Sequence, residues 1–423
     1  MACIEGAVRR LLSHLDWPQM EHVDVLVVGG GSAGLSVSHE LAGLGIDHVV
    51  LERGQVGQSW RDRWDSFCLV TPNWTMRPPG GSYAGDDPDG FMPRDDIVAH
   101  LVDYAAANES PVREGVAVRT IERVPDGFIA RTSAGDIQAV RVVLCTGGFQ
   151  RAYRPAGAAT LPDGLLQLDV EGYRNAAALP PGPILVVGSG QSGCQMAEEL
   201  REAGRDVVLS CGRAPWLPRR MGGRDLVWWL ETAGFLGQSV TTLPSPMARL
   251  GSNPLATGHG GGHDLNLRTL RRMGVTLVGR FLGAEGQEAR FAPDLADSVA
   301  WGDARHDELR TLLHRTADTL GMPRPDIADP EPFDAAAPEH VSLKGFGAVL
   351  FTGGFRPDFR SWLPWADAFD DMGFPIQVDG TSTVVEGLSF CGTHFLRTRK
   401  SATLFGVGDD ASIVARTIAD GLR

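Results

Sequence analysis

The stretch Asp24-Val-Leu-Val-Val-Gly-Gly-Gly-Ser-Ala-Gly34 constrains this chain more than any other. The apolar run Val25 to Val28 has the length and β-branching of a buried parallel strand. Gly29 and Gly31 let the backbone turn sharply and approach a phosphate, and Gly34 lets the following helix pack close on the sheet. Ser32 and Ala33 open that helix, whose free N–H groups and dipole suit a pyrophosphate. The next strand, Val49-Val-Leu, ends in Glu52, where an acid can bind the two hydroxyls of an adenosine ribose. Strand, glycine turn, helix and acid together predict a dinucleotide site.

The stretch recurs. Ile184-Leu-Val-Val-Gly-Ser-Gly-Gln-Ser-Gly193 stands 159 positions after Val25 to Gly34, without a gap. Gly29, Gly31 and Gly34 fall on Gly188, Gly190 and Gly193, with Gln191 and Ser192 at the second helix start. The copies diverge where the acid stood. Glu52 falls on Cys211, followed by Gly212 and Arg213. An acid suits a bare ribose, and its loss beside an arginine suits a 2′-phosphate. The first site therefore suits FAD and the second NADPH, with Arg219 and Arg220 able to add charge.

Composition narrows the class. A formal net charge of −13 argues against nucleic acid or an anionic membrane as the main partner. No apolar run reaches the length of a spanning helix. Ile4, Val8, Leu11, Leu12 and Leu15 stand at helical spacing and predict a short amphipathic N-terminal helix rather than a signal peptide. Six scattered cysteines without a CxxC point to a reducing cytoplasm and weigh against thiol–disulfide chemistry.

Two further segments share a pattern. Val142-Val-Leu-Cys-Thr146-Gly147-Gly-Phe149 and Ala348-Val-Leu-Phe-Thr352-Gly353-Gly-Phe355 each read as a strand ending in a turn that brings backbone close to a cofactor or a domain crossing. Short β-like segments precede the first. Pro155 and Pro180-Pro-Gly-Pro183 mark the crossing into the second unit, and Asp334-Ala-Ala-Ala-Pro338 reads as the return. The expected division is 1–155 and 336–423 for the first domain and 156–335 for the second. The segment from Pro244 to His263 reads as a long surface loop. A last helix is expected from about Asp409 to Leu422, capped by Asp409 or Asp410.

Between the first unit and the first Thr-Gly-Gly lies a loop with Arg53, Gly57, Trp60, Trp64, Asn73 and Trp74. Its tryptophans either wall a flavin or fill core. Asn73 offers a neutral amide that donates and accepts. His259 and His263 have metal-like spacing, but three intervening glycines disfavour a helix that would align them, so no metal is expected. Arg397, Arg399 and Lys400 form a basic patch, read as a solvated loop in preference to the lining of an anion site.

These features resemble the class B flavoprotein monooxygenases, and most closely the bacterial flavin-containing-monooxygenase-like proteins often labelled flavoproteins of potassium transport. The resemblance runs from about Val23 to the C-terminus. It rests on both glycine motifs, Trp64-Asp-Ser-Phe-Cys-Leu-Val-Thr-Pro-Asn73, the Thr-Gly-Gly pair and Gly406-Val-Gly-Asp-Asp-Ala411. It implies an α/β fold of two Rossmann-like domains, three-layered and glutathione-reductase-like, with the NADPH domain inserted in the FAD domain. It also implies FAD held throughout, NADPH arriving at each turnover, and one oxygen atom of O₂ passing through a C4a-peroxyflavin to a small substrate. N- or S-oxygenation is favoured, with Baeyer–Villiger insertion open. Asn73 matches the family's asparagine beside flavin and nicotinamide, and Gly392 falls in the last flavin turn. One departure stands out: the family's linker histidine is Asp169 here, ahead of Tyr173. An oxidase without oxygenation and a non-enzymatic NADPH sensor remain alternatives, and a homodimer is left open.

Overall fold

The computed structural model describes residues 20–423; the predicted N-terminal helix lies outside them. Strand Glu21–Val28, helix Ser32–Gly43 and strand His48–Leu51 form the first βαβ unit. Strand Ile184–Val187, helix Gln191–Glu202 and strand Val207–Ser210 form the second. Both helix bounds and both second-strand bounds repeat at the 159-residue offset. The turns match in conformation too: φ is +111° at Gly29 and +116° at Gly188, values open to glycine alone.

The first sheet runs Gln377–Val378, Thr381–Ser382, Leu388–Phe390, Gly135–Leu144, Glu21–Val28, His48–Leu51, Val112–Arg113. An antiparallel excursion, Val118–Val124 and Gly127–Thr132, hangs from Gly135–Leu144. Helices Ser32–Gly43 and Val407–Leu422 cover one face of this sheet through Val25, Val37, Val143 and Val414. The excursion and Phe359, Phe369 and Phe390 cover the other. Each fully buried Val or Leu contributes about 1.5–3 kcal/mol, so the two-faced apolar strands can form only inside such a sandwich.

The second sheet is parallel throughout, in the order Thr276–Val278, Val207–Ser210, Ile184–Val187, Ala348–Phe351, Leu166–Asp169. Helices pack on one face and the small sheet Phe281–Glu285, Glu288–Phe291, His340–Ser342 on the other. The architecture is the expected three-layered α/β pair.

Three expectations need correction. The chain does not return to the first unit at 336. Ala348–Phe351 is an inner strand of the second sheet, and the return runs through Phe355–Arg356, paired antiparallel with Arg151–Ala152. The Ala/Pro composition of 334–338 suggested a linker, but the strand's pairing partners decide its membership. The last helix begins at Val407 with Gly406 as its N-cap. Asp409 and Asp410 lie inside its first turn, where their charge complements the dipole without capping.

Candidate functional site

Both cradle helices begin without a cap. Gly31 and Gly190 are the N-cap residues, neither helix has a side-chain cap, and neither has an acid in its first turn. The first-turn N–H groups of each helix are thus left for an anion. The glycines divide into two kinds. A Cβ on Gly34 would overlap the Gly29 carbonyl oxygen, and one on Gly193 the Gly188 carbonyl oxygen, so these two serve packing. A Cβ on Gly31 or Gly190 would meet nothing within 4 Å. That open space in front of an uncapped helix is a cradle of the right kind for a pyrophosphate. Ser32 and Ser192 stand in the two first turns, and Ala33 packs beneath Gly392, where a Cβ would crowd its methyl group.

The two cradles differ beside the helix. Glu52 is buried, and its carboxylate accepts from Gly30 N–H at 2.7 Å and Gly54 N–H at 2.8 Å. Each oxygen keeps a second lone pair for a ribose hydroxyl. At the equivalent place in the second unit Cys211 is buried, and Ser189 closes the turn by accepting from Gly212 N–H at 2.9 Å. Arg213 is exposed and has no ion-pair partner among the described residues. Arg219 is not available to help it. It is 2% exposed, pairs with Asp225 at 3.0 Å, donates to the Val70 carbonyl and lies over Phe91. Arg220 donates to the Asp89 carbonyl. Both arginines tie the second unit to the first unit's loop rather than extending the phosphate site.

The two Thr-Gly-Gly turns meet but are not equivalent. Phe149 and Phe355 pack edge to face at 5.3 Å, and Tyr153 N–H donates to the Gly354 carbonyl. Thr352 is buried, and its hydroxyl bonds the carbonyls of Val187 and Gly188, bracing the second glycine turn. Thr146 is exposed and accepts from the Gln150 amide; Gly147 and Gly353 flank the seam. Asp169 makes a two-point ion pair with Arg154 at 2.8 and 2.9 Å.

The tryptophan loop splits by role. Gly57, at φ +73°, donates to the Gly30 carbonyl and so fixes the loop to the first cradle. Arg53 is exposed near Glu52. Trp60 is partly buried against Phe67. Trp64 is 3% exposed and packs into the second unit's core, a wedge between units instead of a wall facing a cofactor. Gln191 is likewise engaged: its amide pairs both ways with the Ala256 backbone and holds that loop at the second cradle.

Asn73 is 6% exposed at the start of a 3-10 turn, Asn73–Thr75. Its Nδ2 donates to the Asp87 carbonyl at 2.9 Å, which fixes the amide's orientation, and its Oδ1 is enclosed without a partner. Trp74, next in the chain, packs edge to face on Phe405. The asparagine turn thereby adjoins the loop 392–406, where Thr393 is another enclosed hydroxyl without a partner. Both atoms keep unused hydrogen-bonding capacity that a ligand reaching them would satisfy.

The sequence reading missed three features of this region. His394 follows Thr393 and lies against Gly148. Burial, with Arg399 nearby, lowers its pKa to about 4, so it is neutral at pH 7. The basic patch is not a solvated loop. Its backbone pairs with residues 236–240: Val240 N–H donates to Arg397 O, Arg399 N–H to Gln238 O and Lys400 N–H to Leu236 O. His259 and His263 face Glu202 and Glu198 of the second cradle helix at 2.9 and 2.7 Å. No local pattern announces the 236–240 pairing, because its partners are far apart in the chain.

The pyridine nucleotide-disulphide oxidoreductase family model matches residues 26–222. The uncharacterized oxidoreductase CzcO-like of Geobacillus kaustophilus is 29% identical over 402 residues, covering 94% of this chain and 99% of its own. The flavin-containing monooxygenase from Stenotrophomonas maltophilia superposes with a TM-score of 0.66 at 19% identity, over 96% of this chain and 100% of that one. The bacillithiol disulfide reductase Bdr (YpdA) from Staphylococcus aureus gives 0.61 at 12% identity, over 96% and 100%. At these identities the structural likeness is one of fold. The chain is thus similar to the pyridine nucleotide-disulphide oxidoreductase family over residues 26–222 and to an oxidoreductase along nearly its whole length, and it shares the fold of the flavin-containing monooxygenase.

Proposed function

We propose that the protein is an FAD- and NADPH-dependent monooxygenase acting on a small molecule with a nucleophilic sulfur or nitrogen. The observation that carries this reading is the pair of matched, uncapped glycine cradles whose Thr-Gly-Gly turns meet across one seam. Such a pair has no evident use for a single cofactor. Gly29 to Gly34 with Glu52 would hold FAD, and Gly188 to Gly193 with Arg213 would hold NADPH. The flavin supplies the redox chemistry when bound. The chain's own residues bind, orient and exclude water. Asn73, held by the Asp87 carbonyl, presents Oδ1 as a fixed neutral acceptor, which favours positioning over proton transfer. In the overall reaction NADPH supplies two electrons, one oxygen atom of O₂ enters the substrate and the other leaves as water.

A disulfide reductase shares the fold but has less support here. Cys145, Cys194, Cys211 and Cys391 are buried. Cys68, partly exposed, is pushed up to about 11 by burial, so it is not a thiolate at neutral pH.

The test is stoichiometric. FAD-loaded protein is reduced anaerobically with NADPH, then mixed with O₂ and a thioether panel, and sulfoxide and peroxide are both counted. Sulfoxide matching most of the NADPH consumed is expected. Full release as peroxide would make the protein an oxidase, and no flavin reduction would make it a sensor. NADPH is expected to outperform NADH, and Arg213→Ala to cost about 1–3 kcal/mol with NADPH while sparing NADH.

A further inference from the structure

Three cations stand together at Arg397, Arg399 and Lys400, and they are not alike. Arg397 pairs with Asp379 at 2.9 Å and Asp410 at 3.0 Å. Lys400 pairs with Glu231 at 3.0 Å and Asp409 at 3.5 Å. Arg399 pairs with no carboxylate among the described residues. Its guanidinium donates to two neutral amide oxygens, Gln238 Oε1 at 2.7 Å and Asn253 Oδ1 at 3.2 Å. It lies between two aromatic rings, 4.3 Å from the centre of Phe235 and 4.9 Å from that of Phe395. Its Nε is enclosed without a partner. A guanidinium has five N–H donors, so two bonds leave most of its capacity unused.

The acids near it are engaged elsewhere. Asp379, Asp410, Glu231 and Asp409 belong to the flanking cations, and Asp370 pairs with Arg249. His394, on the same loop, is neutral at pH 7 and supplies no charge of either sign. Arg399 is desolvated and has no counter-charge at ion-pair distance among the described residues, in a chain of net charge −13. Stability alone would favour an internal partner or an apolar residue at this position. The location is also specific. Arg399 lies where the first unit's last loop meets the second unit's insertion, on the same loop as His394 beside Gly148 and as Phe405 beside the Asn73 turn.

We propose that Arg399 is the anchor for a carboxylate on the substrate, with Gln238, Asn253 and the buried Phe395 holding the guanidinium and the half-buried Phe235 contacting the substrate's apolar body. A carboxylate matches the fork of the guanidinium in geometry and charge. This rests on the oxygenase reading and narrows its substrate class to anionic thioethers or amines. A thioether acid would be gripped at one end while the soft atom remains free to react.

The test is a binding measurement. FAD-loaded protein is titrated calorimetrically with 3-(methylthio)propanoate, 4-(methylthio)benzoate and the methyl ester of each. At least one acid is expected to bind roughly tenfold or more tightly than its ester. Arg399→Met should erase that preference by weakening the acid alone, while Arg399→Lys retains part of it. Equal binding of acids and esters, a preference that survives in Arg399→Met, or no acid binding in the millimolar range each overturn the proposal. Should Arg399→Met fail to retain FAD, the wild-type comparison of acid with ester still decides. Oxygen transfer is not read in this titration. Acid binding without sulfoxide formation would remove the oxygenase reading and leave the anchor, and sulfoxide formation without acid preference would do the reverse.

Discussion

At His394 burial and a neighbouring guanidinium act in the same direction, lowering the imidazole pKa from 6.5 to about 4. In the unfolded chain the ring takes up a proton near its ordinary value; in the folded protein it does so only near pH 4. Between those values the unfolded state binds more protons, so folding stability falls as pH drops from about 6.5 towards 4. The ring is partly exposed, so the loss is about 2 kcal/mol after allowing for solvent screening. His394→Gln should lose less stability than wild type between pH 7 and pH 5, read from urea midpoints. Parallel pH slopes would remove His394 from this account. Nothing in the sequence flagged the residue, whereas Glu52 was legible. The reason is distance along the chain. Glu52 and its partner Gly30 are 22 positions apart within one motif. Arg399 finds Gln238 and Asn253 at separations of 161 and 146. A basic run looks the same on paper whether water or protein surrounds it.

The two βαβ elements were the most legible part of the fold, because every feature of a cradle is local: strand run, turn glycines, helix start. The ends of elements were less so. Gly406 in place of Asp409 as a cap, and Ala348–Phe351 in the second sheet, depend on neighbours that composition does not reveal. The cradles also separate two jobs of glycine that sequence cannot distinguish. Gly31 and Gly190 have negative φ and open space, so alanine fits the protein but fills the cradle. Gly31→Ala should fold normally and purify with depleted flavin. Gly190→Ala should keep flavin and weaken NADPH binding by about tenfold or more. Flavin content by absorbance and coenzyme titration check both. Wild-type loading and affinity in the pair would mean that phosphates pass elsewhere. Gly34→Ala and Gly193→Ala, by contrast, should disrupt folding.

Across the whole molecule, the two units are joined by more than the crossing strands. The Asp169–Arg154 pair and the Trp64 wedge add to the ribbon of Arg151–Ala152 with Phe355–Arg356. Arg219 supplies another tie, reaching from its buried pair with Asp225 to Val70 and Phe91 of the other unit. Arg219→Met would take the close cation from buried Asp225, leaving it only Val227 N–H and Arg220 at 3.9 Å, and should cost about 3–5 kcal/mol in chemical denaturation. Adding Asp225→Leu should recover much of that loss. A double variant no more stable than the single would show that Arg219 acts through its cross-unit contacts instead of through the ion pair. The core-filling role of Trp64 was one of two readings open in the sequence; the other ties were not foreseeable, since each joins residues that belong to separate local patterns.

The seam between residues 236–240 and 397–400 is made by main-chain groups, and main-chain groups are indifferent to the side chains they carry. Gln238 and Arg399 sit on that seam and Asn253 faces it, so their identities can drift over generations while its frame persists. Gly34 and Gly193, where a single methyl group would overlap the backbone, have no such freedom. If Arg399 anchors substrate as proposed, exchanging the side chains of Gln238, Asn253 and Arg399 would change what is bound while leaving both glycine turns as they are.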